Sequence, residues 1–205
     1  MASPAAIPTT DLELANLALY NIGSKPITDF DDDSVKARVI SARYDITKYK
    51  EMGTHQWSFA IKRAELTKEV TTPLYEFSYE YILPTDCLRF LSIEGLDYAV
   101  GSADNNGNGG YRLWSIEGRK ILTNEAGPIN ISYIYKNTTV TEYPIEFMDA
   151  FSWRLAMDIS QKLTNNDTKM EVMLAMYNQE IKKAKKNNAI QLANISVPDG
   201  TWMDR

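Results

Sequence analysis

The sequence contains only one cysteine and one histidine among its 205 residues. The single cysteine, Cys87, excludes an internal disulfide, and one thiol with one imidazole cannot supply the ligand set of a zinc site. The sequence has no G-x-S-x-G motif and no marked cysteine nucleophile to go with His55, so a catalytic triad is not indicated. We interpret His55 as a polar residue beside a packed tryptophan, Trp57.

Long apolar runs and an excess of positive charge are also lacking. No stretch approaches the roughly 18 consecutive apolar residues that a membrane-spanning helix needs, and the N-terminus lacks the basic and apolar regions of a signal peptide. The net charge is −5, whereas binding to a phosphate backbone needs clustered lysine and arginine. The sequence therefore predicts a protein made in the cytosol, with no membrane partner and no default affinity for nucleic acid.

The N-terminal part of the chain has the apolar periodicity of helices. Residues 10–13 form a capping box, Thr-Asp-Leu-Glu, which predicts a helix N-terminus, and Gly23 is the predicted left-handed stop. A second helix should begin after the acidic run 29–33, with one of those aspartates as its N-cap, and end at Gly53. Its predicted core face comprises Val35, Val39, Ala42, Ile46 and Tyr49.

From about Trp57 to Lys136 the apolar period changes to two, which predicts strands. The clearest alternation runs from Tyr75 to Tyr81, where tyrosine and phenylalanine alternate with glutamate and serine. Gly118 marks a hairpin turn. We expect five or six strands in an antiparallel meander, because no segment between them is long enough for a helical crossover.

Helical spacing returns at Pro144, the predicted first residue of a third helix, whose apolar face comprises Phe147, Phe151, Leu155 and Ile159. A second capping box at residues 168–171 predicts a fourth helix. The residues at helical spacing on one face of that helix are Val172, Ala175, Met176, Gln179, Lys183 and Lys186.

The order of these segments predicts an α+β fold. Residues 1–55 and 140–187 form a helical bundle from the N- and C-terminal helices. Residues 56–139 form an inserted antiparallel β module, and residues 188–205 form an extended C-terminal arm.

The candidate chemical motifs are weak, so we predict no catalytic, cofactor or metal site. The acidic run 29–33 lacks the glycine and the final glutamate of a calcium loop. The glycine-rich segment 101–110 lacks the lysine of a phosphate-binding loop and does not open a helix. Carboxylate pairs for glycoside hydrolysis can be drawn anywhere in a chain with 27 acidic residues, so they carry no signal.

Several residues are instead candidates for binding a partner. Lys182, Lys183, Lys185 and Lys186 form a basic patch near the predicted end of the last helix, where cations complement the helix dipole. Trp202 lies in a polar terminal segment with no local pattern to bury it, so a partner pocket is expected. Tyrosines of the β module suit interfaces because they join an apolar ring to a polar tip, and here the candidates are Tyr75 and Tyr79.

Four stretches in order resemble one family. Residues 18–27 match the pattern A-L-x-x-I-G-x-x-P-I, followed by Asp-Asp-Ser at residues 32–34. Residues 57–64 match W-x-F-A-x-x-R-A, and residues 79–89 match Y-x-Y-x-L-P-x-D-C-L-R. In this order the motifs resemble tail tubular protein A, the head-to-tail adaptor of short-tailed bacteriophages, over about residues 10–186.

The resemblance implies a structural, non-enzymatic virion protein of the tail, assembled in the host cytoplasm. It implies a dodecameric ring of copies of the chain between the portal protein and the tail nozzle (tail tubular) protein, with tail fibres as further neighbours. DNA would pass through the lumen without specific binding, and an acidic chain suits that passage because it repels phosphates. Rings need head-to-tail contacts between copies.

Two other functions stay open from the sequence. One is a tail-borne peptidoglycan-degrading enzyme that uses carboxylates. The other is a cellular nucleic-acid or regulatory protein that uses the lysines of residues 182–186, against which the net charge of −5 argues.

Overall fold

A computed structural model describes residues 7–96, 113–164 and 167–192. The chain divides into two compact units. One combines the chain up to Glu51, the piece Trp57–Phe59 and the chain from Thr139, and the other combines Met52–Gln56 with Ala60–Thr138.

The fold is α+β, as predicted, with helices at both ends of the chain and two small antiparallel sheets between them. The helices are α1 (Asp11–Asn21), α2 (Val35–Thr54), α3 (Ile145–Thr164) and α4 (Asp167–Leu192). The strands are β1 (Ile61–Leu66), β2 (Tyr79–Ile82), β3 (Cys87–Ile93), β4 (Trp114–Glu117), β5 (Lys120–Thr123) and β6 (Ile129–Tyr135).

Both ends of α1 are formed as predicted. The Thr10 hydroxyl accepts a hydrogen bond from the Glu13 backbone N–H, and the Glu13 carboxylate accepts one from the Thr10 N–H. Gly23 has a φ of 75°. Its left-handed backbone lets the Ser24 N–H reach the Leu19 carbonyl at 2.9 Å, which closes the helix.

The N-terminus of α2 corrects the sequence prediction. The N-cap is Ser34, whose hydroxyl accepts from the Ala37 N–H at 3.2 Å. The aspartates have other partners, because Asp32 accepts from the Thr28 N–H and Asp33 pairs with Arg38. Gly53 does not end the helix either, since α2 continues to Thr54.

The predicted core face of α2 is wrong. The buried side chains of this helix include Ala37, Ile40 and Tyr44. Val35 and Ile46, which were predicted to be buried, are 65% and 61% exposed. At 100° per residue the two sets lie on roughly opposite sides of the helix. A hydrophobic stripe therefore points away from the core.

The predicted face of α3 is confirmed. Phe147, Phe151, Leu155 and Ile159 are all fully buried. Phe147 stacks edge-on to Trp57 at a centroid distance of 5.1 Å. The only difference is at the start, where α3 begins one residue after Pro144.

Helix α4 departs from the prediction in three ways. It begins at Asp167, so Thr168 lies inside the helix instead of capping it. Its buried residues are Met173, Ile181 and Ala184, whereas Val172 is half exposed. It continues to Leu192, with Asn188 buried and accepting from the Ser58 N–H. The prediction of an extended arm from residue 188 is therefore wrong for residues 188–192, and residues 193–205 lie outside the described residues.

The β unit contains two three-stranded antiparallel sheets, with orders β1-β6-β3 and β2-β5-β4. The antiparallel prediction is confirmed, but the meander is wrong, because among the described strands only β4 and β5 pair as a sequential hairpin. Gly118, with a φ of 60°, forms the turn of that hairpin. Side chains from both sheets share one core that contains Tyr81, Ile121, Ile131 and Tyr133.

The alternating segment before Tyr79 is not a strand. Glu76 has a φ of 69°, and the Phe77 N–H donates to the Tyr75 carbonyl at 2.8 Å. This tight turn breaks the extended backbone, so β2 begins only at Tyr79. The predicted alternation also fails inside β2, where Glu80 is buried with Tyr81.

Candidate interaction surfaces

The hydrophobic stripe of α2 borders a groove of about 460 Å³ in the helical unit. The groove lies between α2 and the last turns of α3. Its lining residues are Val35, Arg38, Val39, Ala42, Arg43, Asp158 and Lys162. Its volume lies within the range of roughly 300–1,000 Å³ that is usual for ligand pockets. An apolar floor with charged walls is suited to an amphipathic segment.

The charges around this groove are partly engaged within the chain. Arg38 pairs with Asp33 at 2.6 Å, and Asp158 accepts from the Thr47 hydroxyl at 2.9 Å. Arg43 and Lys162 have no carboxylate within salt-bridge distance among the described residues. These two cations are therefore available to a negatively charged partner.

On its core-facing side, opposite the stripe, α2 carries a buried carboxylate. Glu51 is 4% exposed. Burial raises the pKa of Glu51, and this effect outweighs the hydrogen bond from Tyr177 and the nearby Arg154 charge, which lower it. The guanidinium of Arg154 lies over the Tyr177 ring at 5.6 Å. This network joins α2, α3 and α4 and is compatible with a structural role.

Lys48 forms a second buried polar contact in the helical unit. It is 2% exposed and pairs with Asp11 at 3.0 Å and with Asp45 at 3.4 Å. The Tyr44 hydroxyl also donates to Asp11, at 2.7 Å, and burial and this bond raise the pKa of Tyr44. The charge of Lys48 therefore serves to attach α1 to α2.

The predicted basic patch lies on the surface of α4. Lys182, Lys183, Lys185 and Lys186 are all exposed, and Lys183 pairs with Glu180 at 2.7 Å. Because the helix continues to Leu192, the patch lies within it and not in its last turn. The helix-dipole explanation for this patch is therefore wrong.

The two candidate tyrosines of the β unit have different surroundings. Tyr75 is 79% exposed and shares its loop with Val70 and Leu74, which are 99% and 97% exposed. Tyr79 packs against the β core, and the Lys68 ammonium lies over its ring at 5.1 Å. Of the two tyrosines, Tyr75 is thus the exposed one, in a loop with other exposed apolar residues, and Tyr79 is partly buried against the core.

One polar groove, of about 500 Å³, lies on the sheet formed by β1, β6 and β3. It contains two carboxylates, Glu65 and Glu94, and Asn130 donates to Glu94 at 2.7 Å. The hydroxyls of Ser92 and Ser132 are hydrogen-bonded to each other at 2.8 Å. Within the described residues, this groove offers one pair of carboxylates that a hydrolase could use.

Other charged pairs of the β unit stabilise its edges. Glu80 pairs with Lys120 at 2.7 Å, and hydrogen bonds from Lys120 and Thr71 lower the pKa of Glu80. Burial acts to raise the pKa of Asp86, but hydrogen bonds from Lys62 and Tyr133 bring it below its usual value. Both carboxylates thus act as charged partners within the fold.

Among residues 7–96, 113–164 and 167–192, no cluster of three or more metal-binding side chains occurs. In the same ranges no helix is long and apolar enough to cross a membrane. Trp202 and the glycine-rich segment 101–110 lie outside the described residues.

Neither the α2–α3 groove nor the buried Glu51 was predicted from the sequence. A signal for the groove was present, because α2 has apolar residues at helical spacing on two faces. Nothing in the sequence marks Glu51, since its burial depends on Tyr177, which lies 126 positions further along the chain.

The chain matches no known family model and no curated protein.

Proposed function

We propose that the chain is a structural head-to-tail adaptor of a short-tailed phage, which forms a ring that joins the portal to the tail nozzle and surrounds the DNA channel. The resemblance of the ordered motifs over about residues 10–186 suggests the family. The observation that carries the proposal is the second hydrophobic face of α2, which the chain itself leaves exposed.

Single exposed apolar side chains are normal, but a row of valine and isoleucine along one side of a helix forms a patch. Val35, Ala42 and Ile46 lie on one side of α2, opposite its core face. Contiguous apolar surface of this kind is typical of contacts between proteins. A ring subunit needs such surface, because each copy must cover part of its neighbour.

The exposed loop of the β unit supplies a second, separate contact site. Val70, Leu74 and Tyr75 are nearly free of intramolecular cover. An adaptor must bind different proteins at its two ends as well as its own copies. Two apolar sites on different units of the chain are consistent with that requirement.

The direct experiment is cryo-electron microscopy of the chain mixed with the portal protein encoded by the same phage. A ring of this chain at the narrow end of the portal is the expected result. An Ile46→Asp variant should reduce ring occupancy, because it places a charge on the exposed stripe. An Asn178→Asp variant, which adds a charge at an exposed polar position of α4, is the matched control.

Failure of the folded chain to bind the portal at micromolar concentrations would contradict the adaptor function. The rival enzymatic function makes a different prediction, because it requires a pair of carboxylates, for which Glu65 and Glu94 are the candidates, to act on a glycan. Clearing of a peptidoglycan gel by the chain, lost in Glu94→Gln, would favour the enzyme over the adaptor.

A further inference from the structure

We propose that the groove between α2 and α3 binds residues 193–205 of a neighbouring copy, with Trp202 seated on Val35, Val39 and Ala42. This inference rests on the proposed function in one respect, since it needs neighbouring copies. It goes further by naming which surfaces of two copies meet.

The chemistry of the two surfaces is complementary. Residues 193–205 contain Trp202 and Met203, with Asp199 and Asp204 on either side. The groove offers apolar residues together with Arg43 and Lys162, neither of which forms a salt bridge within the described residues. The one carboxylate in its lining, Asp158, is paired with Arg154 at 3.5 Å. A buried tryptophan between two charge pairs is a typical centre of binding energy in protein interfaces.

The geometry of the helical unit favours a neighbour over the same copy. Asn187 near the end of α4 donates to Glu146 near the start of α3, at 2.8 Å, so these helices are antiparallel. At 1.5 Å per residue, about 18 Å separates Glu146 from Asp158 along α3, and Leu192 lies about 8 Å beyond Asn187. The arm must therefore run back along the bundle for about 26 Å before it turns across a helix.

The available chain barely covers that path. The ten residues from Leu192 to Trp202 span roughly 33–36 Å when fully extended. The sequence Pro198-Asp199-Gly200 favours a turn, which shortens this reach. Binding within one copy would require almost complete extension, whereas binding to an adjacent copy has no such constraint.

Pairing of two α2 stripes is a less suitable way to cover the groove. An antiparallel pair that matches Val35 with Ile46 and Val39 with Ala42 also brings Arg38 opposite Arg43. Like charges that face each other weaken such an interface. The acidic, apolar terminal segment avoids this repulsion.

The test is the binding of a fluorescein-labelled peptide of residues 193–205 to the full chain, followed by fluorescence anisotropy. Saturable binding is expected, and a Trp202→Ala peptide should bind at least about tenfold more weakly. Ala42→Glu in the chain should also weaken binding by at least about tenfold. Val172→Glu, at an exposed position of α4 outside the groove, should leave it unchanged.

A charge exchange identifies the contact at the edge of the groove. Arg43→Glu in the chain should weaken binding of the natural peptide. An Asp204→Lys peptide should bind this variant more tightly than the natural peptide does and so recover at least part of the lost affinity. Circular dichroism establishes that each variant is folded. The proposal would be overturned if the peptide showed no binding up to a concentration of about 1 mM, which corresponds to a very weak interaction. Equal binding of the natural and the Trp202→Ala peptides would overturn it as well.

Disulfide trapping decides between the same copy and a neighbour. A chain with Ala42→Cys is mixed with a mass-tagged chain with Met203→Cys under mild oxidation. Mixed dimers are the expected product. Exchange between copies would be refuted if a chain with both Ala42→Cys and Met203→Cys formed the disulfide within one monomer. Rapid formation of Ala42→Cys homodimers would refute it as well.

The outcome is separable from that of the adaptor function. Peptide binding needs no portal, and a ring on the portal can form without this contact. Binding of the peptide with no ring on the portal would support the groove and contradict the adaptor, and the reverse result would do the opposite.

Discussion

The hydroxyl of Tyr177 on α4 lies 3.0 and 3.1 Å from the two carboxylate oxygens of Glu51 on α2 and donates to this carboxylate. The N-terminal and C-terminal helices of the helical unit thus meet at a buried carboxylate, because Glu51 is almost fully enclosed. A buried carboxylate that is hydrogen-bonded by a distant residue depends on correct packing of the bundle.

Removal of the Tyr177 hydroxyl should therefore destabilise the protein. Tyr177→Phe keeps the ring and deletes the donor, so a buried acceptor loses a hydrogen bond at a cost of about 1–3 kcal/mol. Urea unfolding monitored by circular dichroism measures the change. Tyr20→Phe, at an exposed position, is the control and should stay within about 0.5 kcal/mol of the natural protein.

The charge of Glu51 should make stability depend on pH. Burial raises the folded pKa above the unfolded value near 4.5, so the folded state binds the proton more tightly. Its contribution is fully present below the unfolded pKa and is lost as pH rises through the folded pKa. Glu51→Gln removes this dependence, so the variant should gain stability relative to the natural protein as pH rises from 4 to 7.

Urea midpoints of both proteins, measured across that pH range, test this prediction. Glu146→Gln, at an exposed carboxylate of α3, serves as the control. A difference between Glu51→Gln and the natural protein that does not change with pH would contradict the assigned burial effect.

Two isoleucines of α2 should respond in opposite ways to truncation. Ile40 is fully buried, so Ile40→Ala should cost about 2–5 kcal/mol through lost burial and the resulting cavity. Ile46 is exposed, so Ile46→Ala should change the stability by at most about 0.5 kcal/mol. Thermal unfolding of the two variants tests this assignment. If the face predicted from the sequence were the buried one, Ile46→Ala would be the more destabilising substitution.

Two glycines should also respond with opposite signs to alanine. Gly23 has a φ of 75°, which alanine adopts with strain, so Gly23→Ala should destabilise the protein by about 1 kcal/mol. Gly53 lies in α2 with open space around its Cα, so Gly53→Ala should stabilise it by about 0.5–1 kcal/mol. Equal effects in chemical denaturation would show that the end of α1 does not need a left-handed residue.

Local signals in the sequence predicted much of the fold. The capping box at Thr10, the left-handed Gly23 and the turn at Gly118 each depend on a few adjacent residues, and each is confirmed. The fully buried stripe from Phe147 to Ile159 was also predicted, because its large apolar residues recur every four positions.

The pairing of strands could not be predicted from local pattern. The partner of β1 is β6, whose residues lie far along the chain, as in the pair of Ile61 with Ile134. A short turn specifies a hairpin such as β4–β5, but nothing local specifies a distant partner. The candidate site has the same limit, because the lysines of α4 were visible in the sequence while the α2–α3 groove was not.

The sequence by itself determined both ends of α1, the turn at Gly118 and the order of helical and strand segments along the chain, because caps, turns and apolar periods are properties of neighbouring residues. Only the tertiary structure decided which of the two apolar faces of α2 is covered. Ile40 and Ile46 have the same side chain, and what separates them is whether another helix lies against them. That choice leaves a hydrophobic surface exposed, and the proposed contacts between copies depend on it.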